Sequence, residues 1–376
     1  MRLFGRKSGS GPVRPPLARS MSGWAVEGAW PRGYDAQVRD AVLANPVAQR
    51  ATRLVSESVR SLALVVTGGP ETAAGLLSPV IEAMAVHLLL HGDAFATIGL
   101  DSEGVPHRLH PLRPERVRVE TDAQGWPAGY RYTVGQSSQR IAPVDPMGKP
   151  ALIHLRAFHP VDDQYGLGCL EAAAGAVAIH NAATRWNKAL LDNAARPSGA
   201  LVYDTGEKGA ALSAEQFDRL KAEMAESFSG TGNAGRPMLL DGGLRWQSMS
   251  MSPADMDFVA LKANAAREIA LAFGVPPLML GQPGDNTYAN YAEANRAFWR
   301  LTILPMANRI LGGVGEALRA WWPELRIEAD LDRISELHTD REPLWRMAVS
   351  ADFLSDDEKR EMLGFGPRAT SAGETS

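Results

Sequence analysis

The sequence predicts an α+β chain assembled from consecutive modules. Three observations carry that expectation. Helical and strand-like spacings occur in separate blocks, which sets a sheet region apart from long helices. A short strand–helix–strand block sits between two long helical stretches and has turn chemistry of its own. No segment recurs at a fixed period, which argues against solenoids and propellers.

The first residues, MRLFGRKSGSGPVRPP, are basic and rich in Gly, Ser and Pro, without the apolar core of a signal peptide, so residues 1 to 34 read as a flexible arm. Over 35 to 66, Val38, Val42, Val47, Ala51, Leu54, Val55, Val59 and Leu62 keep helical spacing with Pro46 in the middle. That pattern predicts two short helices or one kinked helix. Residues 78 to 91 predict another, with Ser78 as N-cap, Pro79 in the first turn and Gly92 as the stop. From Asp93 to Leu155 the runs FATIGL, RVRVE, YRYTV and ALIHL are separated by DSEG, DAQGWPAG and PVDPMGKP, which predicts one small, mostly antiparallel sheet.

Residues 169 to 195 form an Ala-rich helical stretch stopped by Arg196-Pro197-Ser198-Gly199. Small side chains let helices pack closely side by side, although alanine is also simply the best helix former. The insert follows: strand ALVYDT, helix SAEQFDRLKAEMAESF with Ser213 and Gln216 spaced as a capping box, then strands around PMLL and LRWQSM. A helix over Pro253 to Phe273 places Met256, Val259, Ala263, Ile269 and Phe273 on one stripe and ends at Pro276-Pro277. LGQPGDNT is a loop. The long helix after it should kink at Pro305 and loosen at Gly312-Gly313 before ending near residue 322. Two short helices, Leu337 to Val349 and Ser355 to Leu363, precede a tail over 366 to 376 expected to lack order.

Composition narrows function. With 39 Lys and Arg against 43 Asp and Glu, the formal charge is -4, so no global positive field draws the chain to phosphate, which argues against a sequence-reading DNA binder. Cys169 is the only cysteine, so no intrachain disulfide forms, as suits a reducing cytoplasm. The best apolar run, IALAFGVPPLML, is too short to span a membrane and is broken by Pro276 and Pro277.

Motifs that carry chemistry are few. Gly230, Gly232 and Gly235 spell G-x-G-x-x-G, but a helix precedes them and Pro237 with a strand follows, the reverse of a dinucleotide fingerprint. His87 and His91 stand one helical turn apart without a third metal ligand, and read as core or boundary histidines. His154, His159, Asp162 and Asp163 imitate an acid/base or metal cluster but fit a strand-exit turn better. Met147-Gly148-Lys149-Pro150 lacks the upstream glycine and the hydroxyl of a P-loop, no G-x-S-x-G elbow occurs, and Cys169 has no activating partner in the sequence. The reading is a non-enzyme without cofactor or metal.

The segments NPVAQRATRLVSESVRSLAL (45 to 64), HGDAFATIGLDSEG (91 to 104), HPLRPERVRV (110 to 119), YGLGCLEAA (165 to 173), ARPSGALV (195 to 202), GNAGRPMLLDGGLRWQSMSMSPADMDF (232 to 258) and AREIALAFGVPPLMLG (266 to 281) follow one another along the chain. In their wording and order they resemble the portal proteins of long-tailed phages and related gene transfer agents. The resemblance covers nearly the whole chain. It implies the portal fold: an α/β wing over 35 to 166, stem helices within 167 to 200 and 253 to 280, and a small α/β clip over 201 to 252. A channel loop follows over 281 to 290, then a long kinked helix over 291 to 322 and a reduced crown with its tail over 323 to 376. It further implies a dodecameric ring at one capsid vertex of a virion or phage-like particle. Double-stranded DNA would pass through without sequence specificity, and the terminase large subunit, the head-tail connector and the major capsid protein would dock. No membrane is involved. Candidate channel residues are Gln282, Asp285, Asn286, Thr287 and Asn290; candidate clip contacts are Asp218, Lys221, Glu226 and Arg236. The alternatives are another head-tail structural protein of the virion, or a nucleotide-binding enzyme using the 230 to 235 loop.

Overall fold

Pro46 divides the first helical block as expected. In the computed structural model, which describes residues 33–192, 199–203, 213–228, 244–248, 258–281, 288–337 and 345–363, helix α1 (Tyr34–Val38) runs on as a π-helical turn over Arg39–Leu43. Helix α2 (Pro46–Arg60) starts afresh behind Asn45, whose Oδ1 accepts the Val47 and Ala48 amides at 3.0 and 3.1 Å. The expected continuation of helix to residue 66 is not observed: Leu64–Thr67 is a strand, β1. Ser78 is also corrected. It closes helix α3 (Thr72–Leu77), its hydroxyl donating back to the Ala74 carbonyl, and helix α4 (Ile81–Leu90) begins beyond it. Gly92 does stop α4, in a left-handed conformation (φ 90°) that brings its N–H to the His87 and Leu88 carbonyls.

The following strands are β2 (Asp93–Leu100), β3 (Pro106–Leu112), β4 (Val117–Thr121), β5 (Pro127–Val134), β6 (Ser137–Ile141) and β7 (Leu152–Arg156). They form two three-stranded antiparallel sheets, β3-β2-β7 and β4-β5-β6, where the pattern had predicted one. Phe95, Leu112 and Leu152 of the first sheet share a buried cluster with Val117, Val119 and Tyr130 of the second. The hairpin turns are held by their leading aspartates: Asp101 accepts from the Glu103 and Val105 amides, Asp122 from Gln124 and Trp126, and Asp145 from Met147 and Lys149.

Helix α5 (Cys169–Asp192) is the Ala-rich stretch. Strand β8 (Gly199–Tyr203), helix α6 (Ala214–Phe228) and strand β9 (Leu244–Ser248) make up the described part of the insert, with β8 and β9 antiparallel from Gly199↔Ser248 to Tyr203↔Leu244. The capping box forms: the Ser213 amide donates to Gln216 Oε1 at 2.9 Å and the Gln216 amide to Ser213 Oγ at 3.2 Å. Helix α7 (Phe258–Ala272) buries Ala265, Ala266, Ile269 and Ala270, and Phe273 after it is buried too. Val259, placed on the buried stripe by spacing, is instead 84% exposed.

The long helix is interrupted as Pro305 requires. Helix α8 (Tyr288–Phe298) passes through a π-helical turn, Trp299–Ile303, into helix α9 (Leu304–Leu318), because proline has no N–H to return to the preceding turn. Gly312 and Gly313 do not loosen α9. A Cβ on Gly313 would stand 2.2 Å from Leu155 Cδ2, so this glycine lets the helix lie close against β7. The helix ends at Leu318, before the expected 322, and strand β10 (Arg326–Ala329) then pairs antiparallel with β1. Leu337 belongs to a 3₁₀ turn (Ser335–Leu337) and not to a helix, while residues 345–350 form α10. Helix α11 (Asp356–Met362) carries a Ser355/Glu358 capping box.

The described chain divides into two compact units. One draws on Ala51–Cys169 and the chain from Gly274 onward, the other on the residues up to Arg50 and on Leu170–Phe273. No helix among the described residues is long and apolar enough to cross a membrane. Expectations for the N-terminal arm, the Arg196-Pro197-Ser198 stop, the PMLL strand, the 230 to 235 glycines and the tail over 366 to 376 fall outside the described residues.

Candidate functional site

Of the channel candidates, Gln282, Asp285, Asn286 and Thr287 lie outside the described residues, whereas Asn290 is exposed in the first turn of α8. The two ends of the loop are described, and both are anchored. After α7, Gly274 turns the chain at φ 66° and its carbonyl accepts the Thr302 hydroxyl at 2.6 Å. Pro276 and Pro277 enter a 3₁₀ turn (Pro277–Leu280) that ends on left-handed Gly281 and rests against α8. Departure and return of the loop are therefore held next to each other. Of the insert candidates, Asp218 and Lys221 are exposed on α6; Glu226 lies on the same helix, and Arg236 is outside the described residues.

The polar cluster proposed around His154 is not one site. Asp162 Oδ1 accepts the Gln164 and Tyr165 amides at 2.7 and 3.0 Å, His159 Nδ1 accepts the Val161 amide, and the Arg156 guanidinium donates to the Asp163 carbonyl. That is the strand-exit turn. His154 faces elsewhere and joins a carboxylate that sequence reasoning missed, Asp93, which is fully buried. His154 Nε2 donates to it at 2.8 Å, His91 Nδ1 at 3.1 Å, and the Gly166 amide lies 3.0 Å from each oxygen. Burial alone would raise the Asp93 pKa, but the bonds from His154, His91 and Gly166 outweigh it and hold the carboxyl below its usual range. Burial keeps the His154 imidazole below its ordinary value despite Asp93, and the ring stacks on Phe95 with centroids 4.1 Å apart. Burial pushes the His87 imidazole down to about 4, with repulsion from His91 and Arg113 adding to the effect.

Around this knot the backbone is clamped. A Cβ on Gly166 would stand 1.9 Å from the Gly92 carbonyl oxygen, and one on Gly168 would stand 2.2 Å from that of Leu90. The Ala157 amide closes the clamp on the Gly92 carbonyl at 2.7 Å. The sequence signal was present in the HGDAF and YGLG runs, glycines beside an aspartate at a strand start. Cys169 follows at once; burial pushes its thiol up, so it holds no reactive thiolate. The arrangement is mechanical: it fixes the chain that leads from the sheet into α5.

Helix α5 presents a second feature. Ala172, Ile179, Ala182 and Trp186 are exposed and Gly175 is half-exposed, in steps of three and four residues, while His180 and Asn181 on the other side are buried. An apolar seam at this spacing is how one helix receives another.

Residues 77–364 match the family model described as Phage portal protein. An uncharacterized protein of Rickettsia felis is 43% identical over 281 residues, 74% of this chain and 71% of its own length. A probable portal protein of Streptomyces phage phiC31 is 25% identical over 309 residues, 78% and 65% of the two chains. Among solved structures, a chain in the neck of a native gene transfer agent particle, computed with C12 symmetry, is 43% identical with a TM-score of 0.69. That alignment covers 90% of this chain and 96% of the other. The neck of the empty particle, computed with C6 symmetry, gives 42% identity and a TM-score of 0.70 over 90% and 95%.

Proposed function

Because this chain belongs to the phage portal protein family, we propose that it forms a closed ring of twelve subunits at one vertex of a phage or gene transfer agent head, the channel for double-stranded DNA. The observation that carries the ring is the likeness, over nine-tenths of the chain, to the particle neck computed with twelvefold symmetry. The exposed seam of α5 supports it, since Ile179 and Trp186 stay 38% and 45% exposed in a single chain and a neighbouring subunit would cover them. Side by side around an axis, such helices form a stem with small residues at the contact.

In this reading residues 35 to 166 are the wing, α5 and α7 the stem, the insert over 201 to 252 the clip, and the crown follows α9. The clip projects Asp218 and Lys221 to the terminase motor during packaging and to the head-tail connector afterwards, while the wing meets the major capsid protein. The anchored loop over 281 to 290 repeats around the channel as a collar of Gln282, Asn286, Thr287 and Asn290. Such side chains reach phosphate oxygens of any sequence without a fixed positive charge, so DNA is touched and still slides. The role is structural, with no nucleotide or metal chemistry.

Electron microscopy of the purified protein tests the ring. Closed rings with a central hole are expected, and Ile179→Glu, which charges the seam, should yield folded protein without rings. A wild-type chain that stays monomeric at high concentration, and is missing from the neck of its particles, would refute the proposal.

A further inference from the structure

Asn45, His180 and Asn181 form a buried polar chain within one unit of the molecule, only 1%, 4% and 8% exposed. Bond directions in such a chain usually depend on how amides and imidazoles are oriented, but here the backbone decides. Asn45 Oδ1 caps α2 by accepting the Val47 and Ala48 amides, so the other atom of its amide must be the nitrogen. That nitrogen lies 3.1 Å from His180 Nδ1 and donates to Asn181 Oδ1 at 3.0 Å. Asn181 in turn uses its own nitrogen to donate to the Asp40 carbonyl at 2.9 Å. Every member is thereby oriented. Since Asn45 is a donor to the ring, His180 Nδ1 must be the acceptor, and the imidazole must be neutral with its proton on Nε2.

We propose that His180 is the proton-sensitive pin of a latch that holds the segment before α2 to helix α5, closed while the imidazole is neutral and opened when it is protonated. A proton on Nδ1 would set N–H against N–H at a site where Asn45 is 1% and His180 4% exposed. Asn45 would have to turn away, and with it go the two cap bonds of α2 and the link through Asn181 to Asp40. The groups around the ring oppose protonation. Lys262 on α7 faces it with a positive charge, Asn45 is neutral, Asp40 contributes its main-chain carbonyl to Asn181, and on α5 the Thr184 hydroxyl is committed to the His180 carbonyl. Burial, and then Lys262, hold the His180 pKa below its ordinary 6.5. The sign follows: the open state takes up the proton first, so the latch is fully closed above about pH 6.5 and weakens as pH falls below it.

Hydrogen–deuterium exchange of the full-length protein, read on peptides covering residues 39 to 50 between pH 7.5 and 5.0 and corrected for intrinsic exchange rates, tests this. In the wild type, protection of the Val47 to Gln49 amides should fall below pH 6.5 by up to about tenfold per pH unit, the limit for one linked proton. His180→Asn puts a non-titrating oxygen where Nδ1 stood, so protection should become flat with pH. Asn45→Asp keeps the cap but turns the donor into an acceptor, so protonated His180 becomes its partner and protection should rise on acidification. Wild-type protection that does not change with pH would overturn the latch. So would a fall of the same slope in His180→Asn, or an Asn45→Asp profile running in the wild-type direction.

Discussion

Replacing Asp93 should cost more than replacing any other surface or core carboxylate among the described residues, because two of its partners, the His154 ring and the Gly166 amide, are shielded from water. Asp93 is fully buried and receives His154 at 2.8 Å, His91 at 3.1 Å and the Gly166 amide at 3.0 Å on both oxygens. Asp93→Ala removes the acceptor and leaves the His154 and Gly166 N–H groups buried and unpaired. Breaking a buried charged network of this kind costs about 3–5 kcal/mol. At roughly 2–4 °C per kcal/mol for a unit of ~200 residues, the melting temperature should fall by about 6–20 °C. Asp93→Asn should cost less, about 1.5–3 kcal/mol, because one oxygen survives and His91 can present its other tautomer to the new amide. The pH dependence has a definite sign. The folded Asp93 pKa lies below the ordinary 3.8, so its contribution is complete above that value and is lost as pH falls through it toward the folded value. Asp93→Asn should lose that component of acid unfolding. The assay is thermal and urea unfolding of the full-length protein at pH 7 and across pH 3 to 5. An Asp93→Ala variant within 1 kcal/mol of wild type would refute the reasoning, since it would mean that the knot does not hold the chain around it.

Ile179→Glu, on the exposed seam of α5, should leave the monomer's thermal stability within about 0.5 kcal/mol of wild type and abolish rings in light scattering and micrographs. Asn286→Lys adds one positive charge per subunit to the channel loop, so packaging and ejection should slow, more so at low salt, while ring assembly stays normal. Asp218→Arg with Glu226→Arg reverses two charges on α6; rings should form as before, and pull-down of the terminase large subunit should weaken.

Helix-spaced segments were legible in the sequence wherever local chemistry decides the outcome. Pro46, Gly92, the Ser213/Gln216 capping box and the interruption near Pro305 all act within a turn or two of themselves. What failed was non-local. Leu64–Thr67 reads as the tail of a helix because its run LVVT carries no turn signal, and only pairing with Arg326–Ala329 makes it a strand. Strands β3 and β6 were missed because PHRLHPL contains two prolines and SSQRI is polar; the first pairs along β2 and the second is an exposed edge next to β5. Without them the region reads as one sheet instead of two. Gly313 misled for a related reason: its lack of a side chain serves Leu155 on another element, not the helix that contains it.

The same division explains the sites. Asp93 and His154 are 61 residues apart and meet only through the antiparallel register of β2 and β7, which sets Phe95 opposite His154. Sequence spacing pointed His154 toward the nearer Asp162 and Asp163, yet Asp162 spends its carboxylate on a turn and Asp163 offers its main-chain carbonyl to Arg156. The seam of α5 was read only as alanine content, and its meaning depends on which face is left open. There the buried side carries His180 and Asn181 among Leu170, Ala173, Ala176, Val177 and Ala183, and the open side leaves Ile179 and Trp186 exposed. An apolar seam left open on such a helix makes sense as an inner face of something larger. In the proposed ring, repetition around an axis would supply that larger body, covering the seam and repeating the 281 to 290 loop around the channel. In the proposed twelvefold ring the working surfaces belong to the assembly, and each chain contributes one twelfth of them.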